Sequence, residues 1–84
     1  MTEQSEPVKK PNGYRRSREE AERLFLDNMG LVRYVANLMA INVTEDTIQD
    51  GYIGLWKAAL VFDDSRGAVF ATFAVPVIRN AIRS

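Results

Sequence analysis

The chain has 84 residues, 46% of them apolar, with 11 basic and 11 acidic side chains and a formal charge of zero. That is enough for one small domain, near the lower limit of what buries a self-sufficient core. With neither Cys nor His, it lacks disulfides, thiolate metal sites and the commonest general base, so it reads as non-enzymatic.

Residues 1–16 hold Pro7, Pro11, Asn12 and Gly13 among charges and little that could pack. They read as a disordered leader without the apolar core of a signal peptide. From Ser17 the pattern changes, and residues 17–84 read as one helical domain. Ser17 followed by Glu19, Glu20 and Glu22 predicts a capped helix start with acids near the positive end. Leu24, Phe25 and Met29 supply its apolar stripe, which stops at Gly30.

A second helix is expected over Leu31 to Ala40, with Leu31, Val32, Val35, Leu38 and Met39 at helical spacings. After the connector Ile41-Asn42-Val43, Thr44 is the expected N-cap of a third helix reaching about Phe62. Its stripe Ile48, Tyr52, Leu55, Ala59 and Phe62 should bury against the second helix. Asp63 to Gly67 reads as a turn. A last helix is expected from about Phe70 to the C-terminus, and Pro76 within it would cost about 3 kcal/mol or more in a regular helix. A kink there is preferred over a helix that starts at Pro76 with a looser lead-in over 70–75. The expected architecture is an all-α bundle of three to four helices. No stretch approaches the roughly twenty apolar residues of a membrane span.

The zero net charge hides a division. Residues 44–64 carry Glu45, Asp46, Asp50, Asp63 and Asp64 against Lys57, whereas 65–84 carry Arg66, Arg79 and Arg83 and no acid. Such asymmetry is a better guide to partners than the sum. On the third helix, Asp46, Gln49, Asp50, Ile53, Trp56 and Lys57 share a second face. An apolar anchor inside a polar rim is the pattern of a protein interface; the plainer alternative is a half-buried Trp56 beside solvated acids. Further on, Phe62, Phe70 and Phe73 lie near Arg79, Asn80 and Arg83. Rings that stack on bases and arginines that meet phosphates suit single-stranded nucleic acid. Phenylalanines at helical spacing also serve as core. The acids match no calcium-loop spacing, and neither metal nor cofactor is expected.

Taken in order, Leu31-Val32, Ala36, Glu45-Asp46, Ile48-Gln49-Asp50-Gly51, Ile53-Gly54-Leu55, Ala59, Phe62-Asp63, Gly67, Phe70-Ala71-Thr72-Phe73-Ala74, Ile78-Arg79 and Ala81-Ile82 resemble the second conserved region of bacterial sigma-70-type sigma factors. The resemblance covers about fifty residues and many agreements in order. It implies a compact helical domain that binds core RNA polymerase and promoter DNA in the cytoplasm. Asp46, Gln49, Asp50, Tyr52, Ile53 and Trp56 would dock on the clamp helices of the polymerase largest subunit. Phe62, Phe70, Thr72 and Phe73 would form or line the pocket for a base flipped from the non-template strand of the minus-ten element. Arg79, Asn80 and Arg83 would touch the backbone or upstream edge of that element. Unstacking a base costs a few kcal/mol, which a pocket for the extruded base offsets.

The sequence departs from primary sigma factors at Pro76-Val77, where they usually have two tryptophans, and at Phe73, where they have a tyrosine. It looks more like alternative factors of the sporulation and stress types, for which strand opening should be weaker and more demanding of promoter sequence. Anti-sigma factors commonly cover this region in related proteins, which adds one to the expected partners. The sequence stops at Ser84, short of the parts that resemble duplex reading, the later linker and the minus-thirty-five helix-turn-helix. It is therefore expected not to direct promoter-specific transcription alone. The alternative function is a polymerase-binding regulator or decoy without useful DNA affinity.

Overall fold

The computed structural model describes residues 17–63, 65 and 67–84. The expected leader, Asp64 and Arg66 lie outside the described residues. Four helices follow in order, α1 (Arg18–Asp27), α2 (Gly30–Leu38), α3 (Glu45–Val61) and α4 (Phe70–Arg83), with no strand among the described residues. The chain is an all-α bundle.

Local chemistry accounts for the helix starts. Ser17 Oγ accepts from the Glu20 amide at 3.3 Å, and the Ser17 amide donates to Glu20 Oε1 at 3.3 Å. This reciprocal box satisfies two donors that no helical carbonyl can reach. Thr44 does the same for α3, its Oγ1 accepting from the Thr47 amide at 3.2 Å while its own amide donates to Thr47 Oγ1 at 3.3 Å. At the other end of α1, the Asn28 side-chain amide donates to the Leu24 carbonyl at 2.8 Å. Only Asn28 and Met29 separate α1 from α2, so the second helix includes the glycine expected to precede it. It also ends at Leu38, earlier than Ala40, because Ala40 adopts a left-handed conformation at φ 54 that closes the helix.

The turn before α4 is held by Asp63 Oδ1, which accepts from the Ser65 amide at 3.1 Å and the Ser65 hydroxyl at 2.6 Å. Gly67 at φ 79 supplies the positive dihedral this turn requires. From Phe70, one helix runs through Pro76 to Arg83, so the looser lead-in over 70–75 is not formed. Thr72, whose carbonyl loses the amide partner that a residue other than proline would give, and Pro76 are both exposed. Water reaches that side of α4, which is where a missing helical bond costs least.

α3 lies at the centre and packs chiefly against α4, with α1 and α2 on its other sides. The expected packing against α2 is present, and α4 adds the larger share. Gly54 accounts for the share of α4, and Gly51 for the close approach of α2. A Cβ on Gly54 would sit 2.8 Å from Ala81 Cβ and 3.1 Å from both the Ile78 Cα and the Val77 carbonyl oxygen of α4. At Gly51 it would collide with Val32 Cγ1 of α2. Glycine here lets backbones approach closely. The core gathers Leu55, Ile78, Val32 and Val35, fully buried, with Ala21, Ala58, Ala59 and Ala74 between them. No helix among the described residues is long and apolar enough to cross a membrane.

Candidate functional site

With its inner face committed to α4 and α2, α3 turns Asp46, Gln49, Asp50, Ile53 and Lys57 outward, all exposed. They fall within one side of the helix because their spacings of three and four are close to a turn. Tyr52 and Trp56 sit at the border of this face and are half-buried. Phe25 of α1 reaches over to both, its ring centroid 5.8 Å from Tyr52 and 5.9 Å from Trp56, in edge-to-face geometry at 61° and 84°. Each such pair contributes about 0.5–1.5 kcal/mol beyond area burial, which fixes the two rings at the rim. Between α1 and α3 this leaves an open groove of about 560 Å³ lined chiefly by apolar side chains. Trp56 is thus part of both the bundle and the surface, between the two readings that spacing allowed.

On α4, Thr72, Pro76, Arg79 and Arg83 recur at steps of four, three and four and form one exposed stripe. Phe73 and Asn80, seven apart, flank it on one side. Asn80 is exposed and Phe73 half-buried. Arg79, Asn80 and Arg83 line a second groove of about 740 Å³, whose far wall is Leu38, Met39 and Ile41 at the end of α2. No acid is among the residues lining it, so both arginines are presented to whatever enters.

The three phenylalanines separate. Phe62 and Phe70 are buried, at 5% and 8% exposure, and pack edge-to-face with centroids 5.2 Å apart. Phe73 tilts against Phe62 at 5.6 Å and keeps part of its ring in solvent. A ring triad therefore closes this end of the core, with Phe73 as its outer member. Among the described residues no group of three or more Asp, Glu, His or Cys could hold a metal ion. Of the expected residues, Asp46, Gln49, Asp50 and Ile53 are exposed on α3 and Thr72, Arg79, Asn80 and Arg83 on α4, with Tyr52, Trp56 and Phe73 half-buried, whereas Phe62 and Phe70 lie in the core and on neither surface. Of the first groove's residues, Phe25 was read from the sequence only as part of the inward stripe, and Leu26 was not singled out. The signal was there in three consecutive apolar residues, Leu24-Phe25-Leu26, of which a two-residue stripe leaves one over.

The family model for sigma-70 region 2 matches residues 24–84, which takes in the end of α1, all of α2, α3 and α4, and both surfaces. The chain belongs to the sigma-70 region 2 family. Neither the curated proteins nor the solved structures contain a match to it. Region 2 is a non-catalytic, DNA-binding domain with a sigma-factor role in transcription initiation, and it implies interaction with core RNA polymerase and promoter DNA. The match begins at Leu24, within α1, so the capped first turns of that helix lie just outside it.

Proposed function

We propose that this sigma region 2 domain docks on the clamp helices of the polymerase largest subunit through α3. Through α4, it captures the non-template strand of the minus-ten element. The observation that carries this reading is the separation of the two surfaces. Asp46, Gln49, Asp50 and Ile53 project from one helix and Thr72, Arg79 and Arg83 from another, and all are exposed. One chain can therefore hold protein and strand at once.

The roles follow from the chemistry. On α3, Ile53 and the edge of Trp56 bury against a partner helix, while Asp46, Gln49 and Asp50 pair with its polar and basic groups. On α4, Arg79 and Arg83 neutralise phosphates, and Asn80 offers a donor and acceptor to a base edge or the backbone. Phe73 is the ring available for stacking; Phe62 and Phe70 form the rigid floor under it, and Thr72 lies beside it. Pro76-Val77 present no large aromatic wedge, so opening relies on trapping a base that has already unstacked. That makes it more dependent on promoter sequence. The domain works beside the polymerase in the bacterial cytoplasm, where an anti-sigma factor covering either surface would silence it.

Fluorescence anisotropy of a labelled single-stranded minus-ten oligonucleotide, with and without core polymerase, tests this. Saturable, sequence-dependent binding that strengthens when core is added is the expected result. Polymerase binding with no measurable oligonucleotide affinity in the complex would make the domain a decoy or regulator instead.

A further inference from the structure

The outward residues of α3, Asp46, Asp50, Ile53 and Lys57, advance by four, three and four. Read backward from the C-terminus, the exposed stripe of α4 repeats those steps with Arg83, Arg79, Pro76 and Thr72. Two such helices laid antiparallel therefore meet residue for residue. Asp46 then faces Arg83 and Asp50 faces Arg79, the two acids and the two bases each spaced about 6 Å along their helix. Ile53 comes to Pro76 and Lys57 to Thr72, so the register opposes no like charges. A parallel register has the same steps but sets Lys57 against Arg83 and Ile53 against Arg79. Charge thus selects one of the two.

Within one molecule α3 and α4 already pack by their inner faces, so these outer faces can meet only between copies. We propose that the chain associates with itself head to tail, the α3 face of one copy lying antiparallel on the α4 stripe of the next. Among the described residues, Asp46, Asp50, Arg79 and Arg83 are exposed and have no ion-pair partner within their own copy. Arg33 shares a groove with Glu45 on the flank of the acidic face, which leaves Asp46 and Asp50 to set its sign. No acid lines the groove beside the α4 stripe, and its α2 wall offers Leu38, 63% exposed, and Ile41 to the apolar side chains of the incoming face. With a formal charge of zero, whole copies do not repel one another at long range. Because the two faces differ, the contact is heterologous and copies add beyond two. Each contact covers the docking face of one copy and the strand stripe of another, a stored form that core polymerase has to dismantle. That consequence rests on the proposed function, whereas the association itself does not.

Sedimentation equilibrium of the 84-residue chain, over a range of concentrations and without polymerase or DNA, tests this. At low salt the average mass should climb past that of a dimer, and added salt should return it toward the monomer. Asp50→Arg and Arg79→Glu change exposed positions, so their thermal melts should match the parent. Alone, each should weaken association about tenfold or more, because like charges then meet. Mixed in equal amounts they should recover it, since the introduced arginine of one copy meets the introduced glutamate of the other. A monomer at every concentration would overturn the proposal and leave the α4 stripe to nucleic acid. So would a mass that halts at the dimer, salt or single variants that change nothing, or a mixture no better than its components. Adding core polymerase keeps the two readings apart. Association that persists, with no core binding by the chain, sinks the docking reading and leaves the assembly standing.

Discussion

Along α3, the inward face carries Gly51, Gly54, Ala58 and Ala59 around Leu55 and Leu60, whereas Ile53 stands outward among Asp46, Gln49 and Asp50, with half-buried Tyr52 and Trp56 at its border. A helix selected only to hold its own bundle together would place its bulk the other way round. Fully burying a side chain the size of Ile53 is worth about 1.5–3 kcal/mol, which this fold leaves unused. The inner face stabilises differently, by bringing α4 backbone within 3.1 Å of where a Gly54 Cβ would stand, so that many dispersion contacts form at short range. Small residues where α4 and α2 press closest, and Ile53 left outside, are what a docking helix needs. It must be held rigidly by its neighbours while its own anchors stay free.

Three substitutions probe that contrast. The largest effect is expected from Gly54→Val. The new side chain has Ala81 Cβ at 2.8 Å and main-chain atoms of Val77 and Ile78 at 3.1 Å, none of which can swing aside. A loss of about 3 kcal/mol should follow, seen as a melting temperature lower by about 12 °C or more. A melt like the parent's would mean that α3 and α4 do not approach this closely.

Next comes Phe73→Ala, which carries the inner-versus-outer question over to α4. Phe73 is the outer ring of the triad with Phe62 and Phe70. Its loss should weaken minus-ten oligonucleotide binding in the polymerase complex by about 2 kcal/mol, the worth of one stacked base. A steep fall in melting temperature with oligonucleotide affinity intact would return Phe73 to the core.

The smallest effect isolates strain that belongs to neither face. Ala40 holds a left-handed backbone at φ 54, which glycine adopts freely. Ala40→Gly should therefore raise stability by about 0.5–1 kcal/mol in a denaturant melt and leave both binding activities alone. Lost polymerase or strand binding in that variant would mean that the α2–α3 corner takes part in function.

What could be read from the sequence was whatever local chemistry decides. Ser17 and Thr44 announce helix starts because a side-chain oxygen three residues before a free amide has one obvious use. Gly67 marks its turn because glycine adopts that positive dihedral without the steric cost of a Cβ. The acidic face of α3 and the arginines of α4 were visible as a shift in charge along the chain. Packing partners were harder. Periodicity scores the side chains that are present, so Gly51 and Gly54 register as gaps, although Gly54 lets α4 lie close against α3 and Gly51 makes room for Val32 of α2. Ala40 carries no mark of its unusual conformation, because the requirement comes from how α2 meets the loop. Which phenylalanine stays outermost depends on the path of the turn between Phe62 and Phe70, which spacing along one helix does not encode.

The most direct test of the outward face is Ile53→Asp, measured for affinity to core polymerase and for thermal stability in the same preparation. Ile53 is more than half exposed, so the melting temperature should stay within about 4 °C of the parent chain. Core binding should fall by about tenfold or more. A variant that unfolds early, or one that binds core polymerase as well as the parent chain, would contradict the claim that α3 holds its bulk outside for a partner.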